Sequence, residues 1–167
     1  GPFALGMILG VVSLFLMIFT NEKNKKKMDI NITEMTYINE MALTVGLVML
    51  TIGNFLGGQW ANESWGRYWG WDPKETWALI SIMTYSFVIH ARFVPALRGK
   101  WIFNVMSVFA IYVILMTYFG VNFYLSGLHS YASGDKVVTP SFIYYSLAVL
   151  ITLSVLAYFK YKKFYKK

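Results

Sequence analysis

The sequence predicts an all-α integral membrane protein with five transmembrane helices and a tryptophan-rich amphipathic outer loop between the second and third helices. Two observations predict this fold class. Hydrophobic residues make up 57% of the 167 residues and charged residues only 14%, whereas charged residues are about 25% of a soluble domain. The apolar residues also fall into long blocks. We expect the whole chain, residues 1–167, to form a single transmembrane domain.

Five blocks approach the length of about 20 residues with which a helix crosses a hydrocarbon layer of about 30 Å. They cover residues 3–20, 36–58, 76–94, 101–124 and 141–159. The fifth block has no charged residue, whereas the second contains Glu40 and the third contains His90. Glycine and proline mark the connections between the blocks, as expected for turns and loops.

The basic residues are concentrated in alternate connections. Residues 23–27, 92–100 and 160–167 hold all but three of the 15 Lys and Arg residues. The positive-inside rule therefore places these segments and the C-terminus in the cytoplasm and the two poorly basic loops outside. Topology accounts for the net charge of +7, so the charge does not indicate a nucleic-acid partner. The chain has no cysteine, which excludes disulfides and thiolate ligands within it.

The first outer loop, residues 59–77, contains all but one of the 6 tryptophans. An aromatic belt at the bilayer interface is the simpler explanation, but a belt needs only one or two rings at each helix end. We interpret the segment as an apolar platform for a large planar ligand, because indole rings stack on conjugated systems. The candidate binding residues are Trp60, Trp65, Arg67, Tyr68, Trp69, Trp71, Asp72 and Trp77.

The stretch WGRYWGWDPKETW, residues 65–77, resembles the WWD motif of the cytochrome c-assembly superfamily. The following Ala78 extends a similarity to its CcsA (ResC) branch, which includes the fused CcsBA-type system II cytochrome c synthetases. The resemblance runs from about the second span to Tyr131. It implies a bacterial inner-membrane protein, with this WWD loop on the periplasmic side, that transports haem b as cargo. It further implies covalent attachment of the haem to the Cys-x-x-Cys-His segment of an apocytochrome c, as a holocytochrome c synthase (haem lyase) does.

The chain has 2 histidines, and they cannot bind one iron. His90 lies thirteen residues after Trp77, which is about 20 Å below the outer surface in a straight helix, whereas His129 lies in the second outer loop. Two axial histidines of one iron are only about 4 Å apart. The resemblance implies that His90 ligates haem iron at a site within the membrane and His129 at the outer WWD surface.

The resemblance also implies two further histidines before the motif, where this chain has none. We therefore expect the chain to be the C-terminal part of a longer synthetase, or to act with a CcsB/ResB-like partner. In either case the implied role is to position haem rather than to supply acid–base catalysis.

Two other functions stay open at this point. One is a haem-binding exporter subunit of the CcmC type, which forms no bond, and the other is a non-catalytic membrane scaffold. Two roles are also open for Glu40: its side chain faces His90, or it reaches the lipid headgroups. We expect Asn104 and Asn122 to form hydrogen bonds between helices.

Overall fold

A computed structural model describes residues 1–125 and 140–165 of the protein. Helices account for nearly all of these residues, and no β-strand occurs among them, which confirms the all-α class. The helices are α1 (Pro2–Ile18), α2 (Lys25–Trp65), α3 (Pro73–His90), α4 (Lys100–Leu115), α5 (Val121–Tyr124) and α6 (Ser141–Phe164). Two 3-10 turns, Ala91–Phe93 and Pro95–Leu97, connect α3 to α4, and a π-helical turn, Met116–Gly120, joins α4 to α5.

Within the described ranges, 3 helical stretches are long and apolar enough to cross a membrane. They are α2, the continuous stretch Lys100–Tyr124, and α6. Helix α1 is apolar but shorter, with 17 residues. A membrane crossing by α1 and by α3 therefore stays a prediction.

Helix α2 differs most from the sequence prediction. The expected span covered residues 36–58, but the helix runs over 41 residues, which corresponds to about 60 Å. Its first turns contain the lysine-rich segment that we expected to be a loop, because polar residues continue a helix beyond the apolar part that a hydropathy pattern detects. The outer loop predicted for residues 59–77 is accordingly helical at both ends, and only residues 66–72 are irregular.

Two buried apolar clusters hold the helices together. The first joins α1, α2, α4 and α6 through Leu14, Met17, Ile32, Val108, Leu153 and Ala157. The second joins α2, α3 and α4 through Leu43, Tyr85, Val88, Phe103 and Ala110. Helix α1 approaches α4 closely at Gly10, where a Cβ would lie 2.7 Å from the Ser107 Oγ. Small residues allow such close packing between membrane helices.

A buried polar cluster links α2 to α4 beside this contact. The Asn39 side-chain amide donates to the Ser107 Oγ at 2.8 Å and to the Asn104 Oδ1 at 3.2 Å. The Asn104 amide donates to the Thr36 Oγ1 at 2.8 Å. The expected interhelical bonding of Asn104 is therefore confirmed, and it fixes the position of α2 against α4.

Candidate functional site

The second half of the tryptophan motif forms the start of α3. Asp72 is the N-cap residue and Pro73 the first helical residue, and the Asp72 carboxylate accepts a hydrogen bond from the Lys74 backbone N–H at 3.2 Å. Glu75 completes a capping box, because its carboxylate accepts from the backbone N–H groups of Gly70 at 2.8 Å and Asp72 at 3.3 Å. A capping box satisfies N–H groups that the helix itself leaves unpaired. Here it also orders the irregular segment before the helix.

The first half of the motif ends α2 and then turns sharply. Gly66 caps α2 at φ 70°, and its N–H donates to the Asn62 carbonyl at 2.8 Å. Glycine suits this left-handed conformation because it has no Cβ. Trp71 also has a positive φ, 56°, which is rare for a bulky residue. Such strain persists only where the surroundings impose it, and the Glu75 carboxylate holds the residues on both sides of Trp71.

The indole rings form two perpendicular pairs rather than one flat platform. Trp60 and Trp65 have centroids 5.1 Å apart at 77°, and Trp69 and Trp71 have centroids 5.8 Å apart at 89°. Edge-to-face contacts of this kind follow from the charge distribution of aromatic rings. Trp77, by contrast, lies in α3, half-buried.

A cavity of about 480 Å³ lies between the C-terminal part of α2, the start of α3 and the π-helical turn. Its walls are mostly apolar and include Met49, Leu50, Gly53, Gly57, Trp60, Tyr68, Trp69, Lys74, Glu75 and Thr117. At Gly53 and Gly57 a Cβ would meet nothing within 4 Å, so the absent side chains leave this side of the cavity open. The volume lies in the range of small-molecule sites, which extends from about 300 to 1,000 Å³.

Three polar groups surround the cavity and the irregular segment. The Lys74 ammonium donates to the Asn122 Oδ1 at 3.4 Å, which confirms the expected interhelical contact of Asn122. The Arg67 guanidinium lies over Gly70, in the space that a Cβ at that position would need. The Thr117 hydroxyl of the π-helical turn donates to the Trp77 carbonyl at 3.1 Å and so links this turn to the first turns of α3. Such π-helical turns are frequent at functional sites.

His90 lies at the opposite end of α3 from the tryptophans. It is the last residue of the helix, it is exposed, and its Nδ1 lies 2.7 Å from the Ser86 carbonyl oxygen. Because a carbonyl only accepts, Nδ1 is the donor in this contact, and Nε2 is the ring nitrogen that remains for another partner. Glu40 pairs with Arg92, two residues after His90, a contact that neither of the alternatives considered for Glu40 included. His129 lies outside the described residues.

Sequence reasoning missed several residues that organise both ends of α3. Glu75 was detectable, since an aspartate followed three residues later by a glutamate is a helix-start signal. The ion pair of Glu40 with Arg92 and the bond from Thr117 to Trp77 carry no local sequence signal, because their partners lie far apart along the chain.

Comparisons with known proteins agree on one family. The family described as "Cytochrome C assembly protein" matches residues 2–129. Protein NrfI of Wolinella succinogenes is 49% identical over 158 residues, which cover 95% of this chain and 17% of NrfI. "Cytochrome c biogenesis protein CcsA" of Prochlorococcus marinus is 42% identical over 98 residues, or 59% of this chain and 31% of that protein. CcsA of Panax ginseng is 43% identical over 102 residues, or 61% of this chain and 32% of the relative. The chain thus spans a third or less of each of these three relatives.

Proposed function

The chain belongs to the cytochrome c assembly protein family, and from this premise we propose that it carries haem b across a bacterial inner membrane and presents it for covalent attachment to an apocytochrome c. In this proposal all five predicted spans cross the bilayer, and the tryptophan segment faces the periplasm. The C-terminus is cytoplasmic, as the distribution of basic residues indicates. The substrate supplies the two thiols of its Cys-x-x-Cys-His segment, and this chain holds the haem in position beside them.

One observation carries the proposal for the outer site. An apolar cavity opens beside a strained tryptophan segment whose backbone is held by the capping box of Asp72 and Glu75. A pre-ordered apolar wall with few charged groups suits a planar hydrophobic ligand that carries carboxylates. The residues that we assign to haem contact are Trp60, Trp65, Arg67, Tyr68, Trp69, Trp71, Asp72 and Trp77. Asp72 acts by ordering the segment, and Lys74 joins Arg67 as a candidate partner for the propionates.

His90 and His129 are the proposed iron ligands of an inner and an outer haem station. The hydrogen bond from Nδ1 to the Ser86 carbonyl supports this role for His90, since ligand histidines generally donate their second ring N–H to an acceptor. We assign them to different stations: α3 separates His90 from the tryptophan segment, and the resemblance implies His129 as the ligand beside that segment. Each station then needs a second axial ligand, which we assign to a CcsB/ResB-like partner or an upstream segment of the same protein.

The test compares wild type, His90→Ala and His129→Ala in the complete synthetase, with haem per protein and cytochrome c yield as readouts. We expect His129→Ala to lose haem at the outer surface and keep haem at the inner station. His90→Ala should lose haem at both, because the outer station is filled through the inner one. Added imidazole should restore part of the haem by occupying the vacant axial position.

Each possible result has a distinct meaning. Full haem content and full cytochrome yield in both variants would reject the ligand assignment. Wild-type protein that binds haem but never yields covalent cytochrome c would favour an exporter without bond-forming activity. Wild-type protein without any haem would favour a scaffold.

A further inference from the structure

The inner end of α3 carries a cation that is only partly neutralised. The Arg92 guanidinium forms an ion pair with the Glu40 carboxylate of α2. The Glu40 side chain is 17% exposed, whereas the Arg92 side chain is 52% exposed. A guanidinium has five N–H donors, and one carboxylate engages at most two of them in a bidentate pair. The pair therefore has a fixed, sheltered anion and a cation with one side open to a second acceptor.

Aromatic surface connects this cation to His90. The Phe93 ring centroid lies 5.9 Å from the His90 ring and 5.3 Å from the Arg92 guanidinium carbon. Phe93 is 65% exposed, and Phe87, three residues before His90, is 56% exposed. Residues three apart share a helix face. An imidazole, two exposed aromatic rings and a guanidinium thus follow one another on one surface.

A second ion pair in the same part of the protein has a different construction. The Lys100 ammonium donates to the Asp29 carboxylate at 2.8 Å and also to the Thr33 hydroxyl at 2.6 Å, and its side chain is 34% exposed. An ammonium has three N–H donors, so these two bonds engage most of its capacity. The Lys100 pair is an internal link between α2 and α4, whereas the Arg92 pair keeps donors available at the surface.

We propose that Arg92 is the receptor for a propionate carboxylate of the haem at the inner station, and that Glu40 is a positioning residue that holds the guanidinium in place. This inference rests on the proposed haem-carrying function. It follows from the chemistry of the cargo, which combines an iron for the imidazole, a flat apolar face for the phenylalanines and carboxylates for a planar bidentate cation. A membrane-anchoring arginine needs no neighbouring histidine and no half-buried carboxylate to hold it in position.

The experiment separates carboxylate recognition from folding by changing the ligand. The complete synthetase with His129→Ala keeps only the inner station, and it is titrated with haem and with haem dimethyl ester, in which both propionates are blocked. We expect Arg92→Gln to weaken haem binding about tenfold, the size of one lost charge-assisted hydrogen bond. Binding of the ester should not change. Glu40→Gln should weaken haem binding less than Arg92→Gln does, and again leave the ester unaffected, because the guanidinium keeps its charge but loses the carboxylate that holds it in place.

Two further variants make the result decisive. Arg92→Gln alone leaves the sheltered Glu40 without a partner, so the double variant Glu40→Gln/Arg92→Gln is measured as well, and it should show the same loss for haem only. Lys162→Gln removes one exposed cation from the end of α6 and should change neither ligand. Equal losses for haem and ester, no loss for either, or a loss in Lys162→Gln as large as in Arg92→Gln would overturn the proposal.

A His90→Ala variant tests the proposed function separately. If His90→Ala leaves haem binding intact while Arg92→Gln still distinguishes haem from its ester, the iron-ligand assignment fails and the carboxylate receptor stands. If His90→Ala abolishes binding but Arg92→Gln has no ligand-dependent effect, the ligand assignment stands and the receptor fails.

Discussion

The two ends of α3 are stabilised in different ways. At the outer end, backbone N–H groups of the tryptophan segment donate to side chains of the same segment, chiefly Glu75. At the inner end, an ion pair with Glu40 of α2 holds the side chain of Arg92, two residues after His90. A capping box depends on residues close together in the sequence, whereas an ion pair between two elements depends on how those elements pack. The outer end is therefore held by bonds within one segment, and the inner end by a bond between two helices.

The largest expected effect concerns the separation of the two ends by a membrane. The chain has no cysteine of its own, so labelling of an introduced cysteine reports the accessibility of that position alone. Ser64→Cys, at the outer end of α2, should react with an impermeant thiol reagent in intact cells, and Lys26→Cys, at its inner end, should react only after lysis. Both positions are exposed, so burial does not account for a difference. The reverse labelling pattern would invert the assignment of outer and inner ends.

A smaller but clear effect is expected from removing the capping acceptor. Glu75→Ala leaves the backbone N–H groups of Gly70 and Asp72 without that acceptor, which costs about 1–2 kcal/mol. Proteolytic cleavage within residues 66–72 should then accelerate about tenfold, since cleavage follows local opening. Glu63→Ala is the matched control, because the Glu63 carboxylate is exposed and its bond to the Gln59 amide lies within α2. Equal cleavage of both variants would show that the outer end is not held by its cap.

The smallest effect tests whether the cavity belongs to the outer site. Gly57→Ala adds one methyl group to the cavity wall at a position where a Cβ has room. It should stabilise α2 by about 1 kcal/mol, because alanine favours helices over glycine, and yet lower the haem affinity of the outer station a few-fold. Thr44→Ala, an exposed position on the same helix, should leave haem affinity unchanged. An outer station whose affinity is the same in both variants would exclude the cavity from the ligand site.

The sequence predicted the bounds of a helix well only where its apolar residues begin and end together with the helix. The first span was expected at residues 3–20, close to the observed Pro2–Ile18. The last was expected at residues 141–159, but α6 continues to Phe164 through lysines. A hydropathy pattern reports where a helix is apolar and not where its hydrogen bonds end. For the same reason the polar first and last turns of α2 were missed.

The site was predictable where its signals are local. The tryptophans and the family resemblance identified the outer segment, and the aspartate, proline and glutamate after it contain a helix-start pattern. The positive φ of Trp71 was not predictable, because it depends on the bonds of Glu75 to the backbone on both sides. The pairing of Glu40 with Arg92 depends on how α2 packs against α3, which no short stretch of sequence encodes.

Helix α2 connects the ion pair with Arg92 to the tryptophan segment without a break. One uninterrupted helix carries Glu40 near its middle and Gly57, Trp60 and Trp65 towards its C-terminal end. Twenty residues separate Glu40 from Trp60, which is about 30 Å of helix. A tilt of this helix by a few degrees about Glu40 displaces Trp60 and the cavity wall around it. A change at the Glu40–Arg92 contact that tilts α2 would therefore also move the cavity wall, because the helix has no break between Glu40 and Trp60 that would absorb the movement.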